Sequence, residues 1–314
     1  MRIIEEAIGT IGVVIGVLLM VAYMTVVERK YLSGMQRRRG PNVIGIYGLL
    51  QAIADGVKLI VKEAIRPTSA NREIFMIAPI ITFGVSLIGW AVIPMGEGIV
   101  YKDWEYGILY IMGVSGVGIY GIILAGWGSN SKYAMLGALR STAQMISYEL
   151  VLGFVVMGVV MGAGTMNLTG IVMAQEKVWM IVPLLPIGII YMIGIIAETN
   201  RHPFDLPEAE AELVSGYNVE YGSGMFAAFF LGEYGNIGLM SAMIVILFIG
   251  GWHGGIKGIE PIIMGIKVTG IIIVYIWARG ALPRYRYDQL MRICWKEMIP
   301  ITIGYMMIIV GICY

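Results

Sequence analysis

Eight apolar runs of near-membrane length divide this chain of 314 residues, at about 8–27, 74–95, 106–127, 146–166, 178–197, 225–252, 262–278 and 299–313. A bilayer core roughly 30 Å thick takes about 20 helical residues to cross. Inside it every backbone N–H and C=O must be satisfied within the segment itself. The runs therefore restrict the chain to an all-α integral membrane protein, a single membrane domain over 1–314 with eight transmembrane helices. With 58% hydrophobic residues and only 14% charged ones, too few polar side chains remain to cover a water-soluble fold of this size. The first run ends in Glu28-Arg29-Lys30 rather than a small-residue cleavage site, so it reads as a retained helix and not as a signal peptide.

The charged residues orient the helices. Cytoplasmic loops of membrane proteins carry the Lys/Arg excess, and segments 28–72, 128–143, 198–224 and 279–297 hold 17 of the 22 basic residues. Those segments are expected on the inner face of a cell (inner) membrane, with both termini on the outer face. Long charged loops on one side point to a partner there, while a net charge of +1 argues against nucleic acid. Cys294 and Cys313 have no ligand spacing, so the residues point to no metal site.

The connection 198–212 sets five acidic residues, Glu198, Asp205, Glu208, Glu210 and Glu212, between two membrane runs. Carboxylates beside hydrocarbon are costly, and their usual reason is an ion path, a polar cavity or a docking surface. Glu149 and Glu233 lie within apolar runs. Glu149 is nine residues past Arg140, about 13 Å along a helix, which places it beyond the interface. One such carboxyl alone could be a protonated helix-packing group. Two of them, with Glu198 and the acidic connection, favour a proton-relay path, because a carboxyl in such surroundings changes protonation with its neighbours.

The first loop, 28–72, contains a segment, 48–63, that is amphipathic and too short to span. Leu49, Leu50, Ile53, Val57, Ile60 and Val61 fall on one helical face, and Gln51, Asp55, Lys58 and Lys62 on the other. It either lies flat in the lipid interface or lines a cavity with its polar face. Upstream, residues 36–42 form a basic turn ending in Gly40-Pro41-Asn42. Gly116, Gly118 and Gly121 match a dinucleotide fingerprint, but inside an apolar run they read as helix packing. His202 and His253 are single loop histidines without metal spacing.

Four blocks, 28–42 with Gly48–Gln51, Asp55 and Lys58, 125–140 with Glu149, 198–210 running on to 233–236, and 282–291, resemble the H-subunit family of proton-pumping NADH:quinone oxidoreductase, respiratory complex I. They cover nearly the whole chain in order. The resemblance implies a subunit linking the peripheral redox arm to the membrane arm, without a redox centre of its own. By carry-over, Gln36, Arg37, Arg39, Asp55 and Lys58 shape a chamber for the quinone headgroup together with the coupling loop Asp205, Glu208, Glu210 and Glu212. Glu149, Glu198 and Glu233 correspond to glutamates that begin a lateral charged path. The implied partners are hydrophilic iron-sulfur subunits on the cytoplasmic side, antiporter-like and small membrane subunits, and lipid. The same superfamily includes the membrane subunit of energy-converting membrane-bound hydrogenases and sulfur reductases, so the acceptor stays open between quinone, protons and a sulfur compound. A stand-alone secondary transporter with midplane carboxylates and a structural anchor are the readings from other classes.

Overall fold

The computed structural model describes residues 2–205, 216–254 and 258–313, and the regular elements among them are helices: α1 (Arg2–Met35), α2 (Gln51–Val61), α3 (Arg72–Ile88), α4 (Gly107–Gly128), α5 (Lys132–Ala163), α6 (Leu168–Ala174), α7 (Leu185–Glu198), α8 (Ser223–Phe248), α9 (Glu260–Ala281), α10 (Tyr287–Arg292) and α11 (Ile299–Cys313). A π-helical turn, Ile293–Met298, joins α10 to α11. Seven helical stretches are long and apolar enough to cross a membrane: Glu6–Met35, Arg72–Val92, Gly107–Gly128, Lys132–Ala163, Ser223–Phe248, Glu260–Ala281 and Tyr287–Gly311.

The run expected at 178–197 forms only the 14-residue helix α7, about 21 Å long at 1.5 Å per residue. Proline explains the shortening. Pro183 has no N–H to give and its ring collides with the preceding turn, so residues 180–184 form turns. Pro186 then falls in the first turn of α7, where a missing N–H costs nothing. Elsewhere helix replaces expected loop. α1 runs on to Met35, α5 already begins at Lys132, and α10 with the π turn occupies much of 279–297. In the first loop the helix spans 51–61 rather than 48–63, because Gly45, Tyr47 and Gly48 take positive φ just before it.

The packing centres on α8, whose residues Ile237 to Phe248 are all buried. Small residues let its neighbours come close, the usual basis of helix association where lipid is as apolar as the side chains. A Cβ added at Gly232 would stand 3.2 Å from the Thr82 backbone of α3, and one at Gly238 would meet the Met20 side chain of α1 at 2.2 Å. At the far end of α8 the orphan carbonyls are taken up by two buried or half-buried side chains. Gln175 Nε2 donates to Ile246 O at 2.8 Å, and Lys267 Nζ donates to the carbonyls of Ile249, Gly251 and His253 at 2.7–2.9 Å. The α3–α4 contact is equally close, since a Cβ at Gly121 would lie 2.3 Å from Thr82 Cγ2. Gly121→Leu is therefore expected to destabilise the protein by about 1–3 kcal/mol through overpacking, read as a lowered unfolding midpoint of the purified protein in detergent.

Candidate functional site

The end of the bundle that carries most of the basic residues is organised by the connection from α7 to α8. Gln144 of α5, fully buried, donates through Nε2 to Ala197 O at 2.7 Å and Phe204 O at 3.0 Å. Asn200 Nδ2 donates to Ser141 Oγ at 2.8 Å, and the Tyr285 N–H donates to Pro203 O at 3.1 Å. These bonds fold residues 198–205 back into the bundle. Glu198, Arg201 and Asp205 are buried as a result.

Arg201 lies at the centre of a charged cluster. Its Nε lies 2.8 Å from Glu233 Oε1, an ion pair by charge and distance rather than an aligned hydrogen bond. Its guanidinium carbon stands 4.4 Å from the centre of the Tyr234 ring, within cation–π range. Tyr234 donates its hydroxyl to Glu28 of α1, and Glu28 also pairs with Arg279 of α9. Two carboxylates and two guanidiniums from α1, α8, α9 and the connection thus form one neutral row, Glu233–Arg201–Glu28–Arg279. Just outside it Arg284 Nη2 lies 3.4 Å from Asp205 Oδ2.

A second set of acids adjoins the row. Glu198 and Glu233 both line a cavity of about 40 Å³ together with Thr82, Thr199, Asn200 and Asn236. This exceeds the roughly 10–15 Å³ that a cavity needs to hold a water, and its lining supplies polar partners. Glu198 Oε2 and Asn200 Oδ1, from two of the lining residues, are buried acceptors with no hydrogen-bond donor among the described residues. Glu149 accepts from Ser115 Oγ at 3.1 Å and is near enough to Glu198 to act on it electrostatically. It also lines an apolar groove of about 650 Å³ between α4 and α5, with Met112, Leu150 and Phe154.

Glu149, Glu198 and Glu233 are thus brought together, and Asp205 joins the same end. Asp55 lies on α2, paired with Arg29 at 2.6 Å and accepting from Gln51 Nε2 at 2.9 Å, while Lys58, Gln36, Arg37 and Arg39 are exposed. Glu208, Glu210 and Glu212 fall outside the described residues. Sequence reasoning did not single out Gln144, Glu28, Arg201, Tyr234 or Arg279. Glu28 and Gln144 carried a usable signal, a lone acid after Val26-Val27 and a lone amide before Met145-Ile146. Arg201, Tyr234 and Arg279 carried none, since the groups they pair with come from distant helices.

Among the described residues no group of three or more His, Cys, Asp or Glu is placed to hold a metal ion. The sequence itself matches the model of the NADH dehydrogenase family over residues 8–310. The chain belongs to the NADH dehydrogenase family. It is 52% identical to NADH-ubiquinone oxidoreductase chain 1 of Chondrus crispus over 318 residues, covering 99% of this chain and 98% of that one. It is 53% identical over 309 residues to the H subunit of NADH-quinone oxidoreductase of Rhodospirillum rubrum, with 96% and 91% covered. NADH-ubiquinone oxidoreductase chain 1 of Dictyostelium citrinum is 52% identical over 301 residues, with 96% and 92% covered. The hydrogenase-like alternative is not favoured, because the NADH dehydrogenase relatives match end to end.

Replacing Gln144 of this NADH dehydrogenase chain by Leu takes from Phe204 O its side-chain donor and leaves Ala197 O with backbone donors alone, a loss of about 1–3 kcal/mol. The expected result is an unfolding midpoint lowered in the purified protein, read by thermal unfolding in detergent. His202 gives a pH test. Burial, and then the nearby Arg284 and Arg279, hold its imidazole below the ordinary histidine range. The unfolded chain therefore takes up a proton first as pH falls, and stability present above the ordinary histidine pKa is lost through the acid range below it. His202→Gln should flatten that acid limb in thermal unfolding measured from about pH 7 to 5.

Proposed function

We propose that this chain is the membrane-embedded H subunit of a proton-pumping NADH:quinone oxidoreductase, forming much of the quinone-headgroup chamber and the start of the charged path into the membrane arm. The observation that carries the reading is the charged row Glu233–Arg201–Glu28–Arg279, whose inner members Arg201 and Glu28 are buried, adjoining the polar cavity shared by Glu198 and Glu233.

The row suits charge coupling for a simple reason. A guanidinium does not give up its proton, so Arg201 stays positive and its position decides which neighbouring carboxylate is better stabilised in the ionised form. A change in charge at the chamber, to which the family resemblance assigns Gln36, Arg37, Arg39, Asp55 and Lys58 with the coupling-loop acids Asp205, Glu208, Glu210 and Glu212, draws on Arg284 and Arg279. Any shift of Arg201 between Glu28 and Glu233 then alters proton occupancy at Glu233, and through the cavity at Glu198 and Glu149. The electrons themselves travel on iron-sulfur partner subunits, and this chain supplies the substrate chamber and the ion path.

Placement in the membrane accords with this role. α7 acts as the eighth span, short and shielded by its neighbours, and α2 lies in the interface with Ile53, Val57, Ile60 and Val61, all exposed, turned toward lipid. The basic end faces the cytoplasmic-type compartment and the hydrophilic partners, with both termini on the other side. The groove beside Glu149 faces the neighbouring membrane subunits. In proteoliposomes, Glu149→Gln and Glu233→Gln are each expected to reduce proton transport driven by NADH about 10²-fold or more while the complex still assembles. Full pumping by both variants would refute the relay.

A further inference from the structure

The helix α2 is held to the bundle by unusual means. None of its side chains is buried, so apolar burial contributes little to its placement. Two polar ties hold it instead. Midway along, Asp55 pairs with Arg29 of α1 at 2.6 Å. At its end the hydroxyl of Ser223 is shared between Lys62 O at 2.5 Å and Leu59 O at 3.2 Å. A helix leaves its last carbonyls without partners of its own, and here the donor comes from 161 and 164 positions away in the chain.

Ser223 is itself an exception. It is buried, it opens α8, and its φ is +59°, a region that residues with a Cβ rarely adopt. It lies between Gly222 and Gly224, yet it is the serine that takes the left-handed conformation a glycine would adopt freely. What serine has and glycine lacks at this point is the hydroxyl that closes the end of α2.

We infer that Ser223 is a positioning residue for the chamber helix. Its hydroxyl fixes the end of α2 to the start of α8, the point at which residues 216–222 arrive from the acidic connection. Three parts therefore share one hydrogen bond: the helix bearing Asp55 and Lys58, the exit of the connection, and the helix that carries Glu233 ten residues on. The inference rests on the reading of Asp55 and Lys58 as chamber residues, and it assigns the orientation of both to Ser223.

The test uses the assembled complex with Ser223→Ala, Ser223→Gly and Ser223→Asn. Asparagine tolerates the left-handed backbone and brings an amide donor. Hydrogen–deuterium exchange over residues 51–62 reports the tie directly. KM and kcat for decylubiquinone with NADH report its effect, and NADH oxidation by ferricyanide checks assembly. In the Ala and Gly variants exchange over 51–62 should speed up and the quinone KM should rise roughly five-fold, the order expected for one hydrogen bond. Their kcat and ferricyanide activity should hold, and the Asn variant should keep wild-type protection. Unchanged exchange in both Ala and Gly overturns the inference. So does a Gly variant that behaves as wild type, since backbone strain and not the hydroxyl would then be responsible. Faster exchange without a KM change also overturns it, provided Asp55→Asn does raise KM. Should Asp55→Asn leave KM unchanged as well, the chamber reading is what fails and the tie itself stands.

Discussion

Four charged groups meet at the basic end, Glu28 and Arg201 buried and Glu233 and Arg279 half-buried, and the arrangement of that end depends on their compensating one another. A buried charge without a partner costs several kcal/mol, so neither Glu28 nor Arg201 is tolerable alone. The four charges cancel only if α1, α8, α9 and the α7–α8 connection converge on one place. That requirement explains why a chain with so few charged residues spends four of them at one spot, and why Tyr234 turns its hydroxyl to Glu28 and its ring face to Arg201.

The row needs a stable frame, and α8 supplies it. Glycines at 232, 235 and 238 bring α3 and α1 against its backbone. Its far end is closed by Gln175 and Lys267. Glu233 therefore sits on a helix fixed along most of its length, whereas Arg201 sits in a connection held by a handful of side-chain hydrogen bonds. Glu233 thus belongs to a regular helix and Arg201 to an irregular connection, so the proposed charge coupling would be carried by a shift of the connection against the helix. α2 lies at the lightly held extreme, with polar ties and no buried side chain. Membership in the NADH dehydrogenase family gives this arrangement its setting, a membrane subunit of an oxidoreductase complex.

Class and broad architecture were legible in the sequence because they follow from transfer free energy, which depends on composition along a short window. Seven of the eight apolar runs are realised as helices of spanning length. The remaining one, at α7, departs for a local reason also written in the sequence: Pro183 stops the helix from extending back over 180–184, and Pro186 is accommodated in its first turn. The exact ends of α1 and α5 were not legible, since charged and small residues such as those at 28–35 and 132–143 serve equally well in helix or loop and tertiary packing makes the choice.

For the site, the amino-acid order by itself determined that Glu149, Glu198 and Glu233 must be functional or satisfied, because carboxyl groups amid hydrocarbon need a reason. Only the tertiary structure decided what satisfies them: Ser115 for Glu149, a small polar cavity for Glu198, Arg201 for Glu233. It also drew in Glu28 and Arg279, 251 positions apart, and set Asp55 against Arg29 of α1. The physical reason is range. The cost of burying a charge is a property of one residue and its surroundings, whereas its compensation is a property of pairs, and the members of a pair are assigned only when the helices pack.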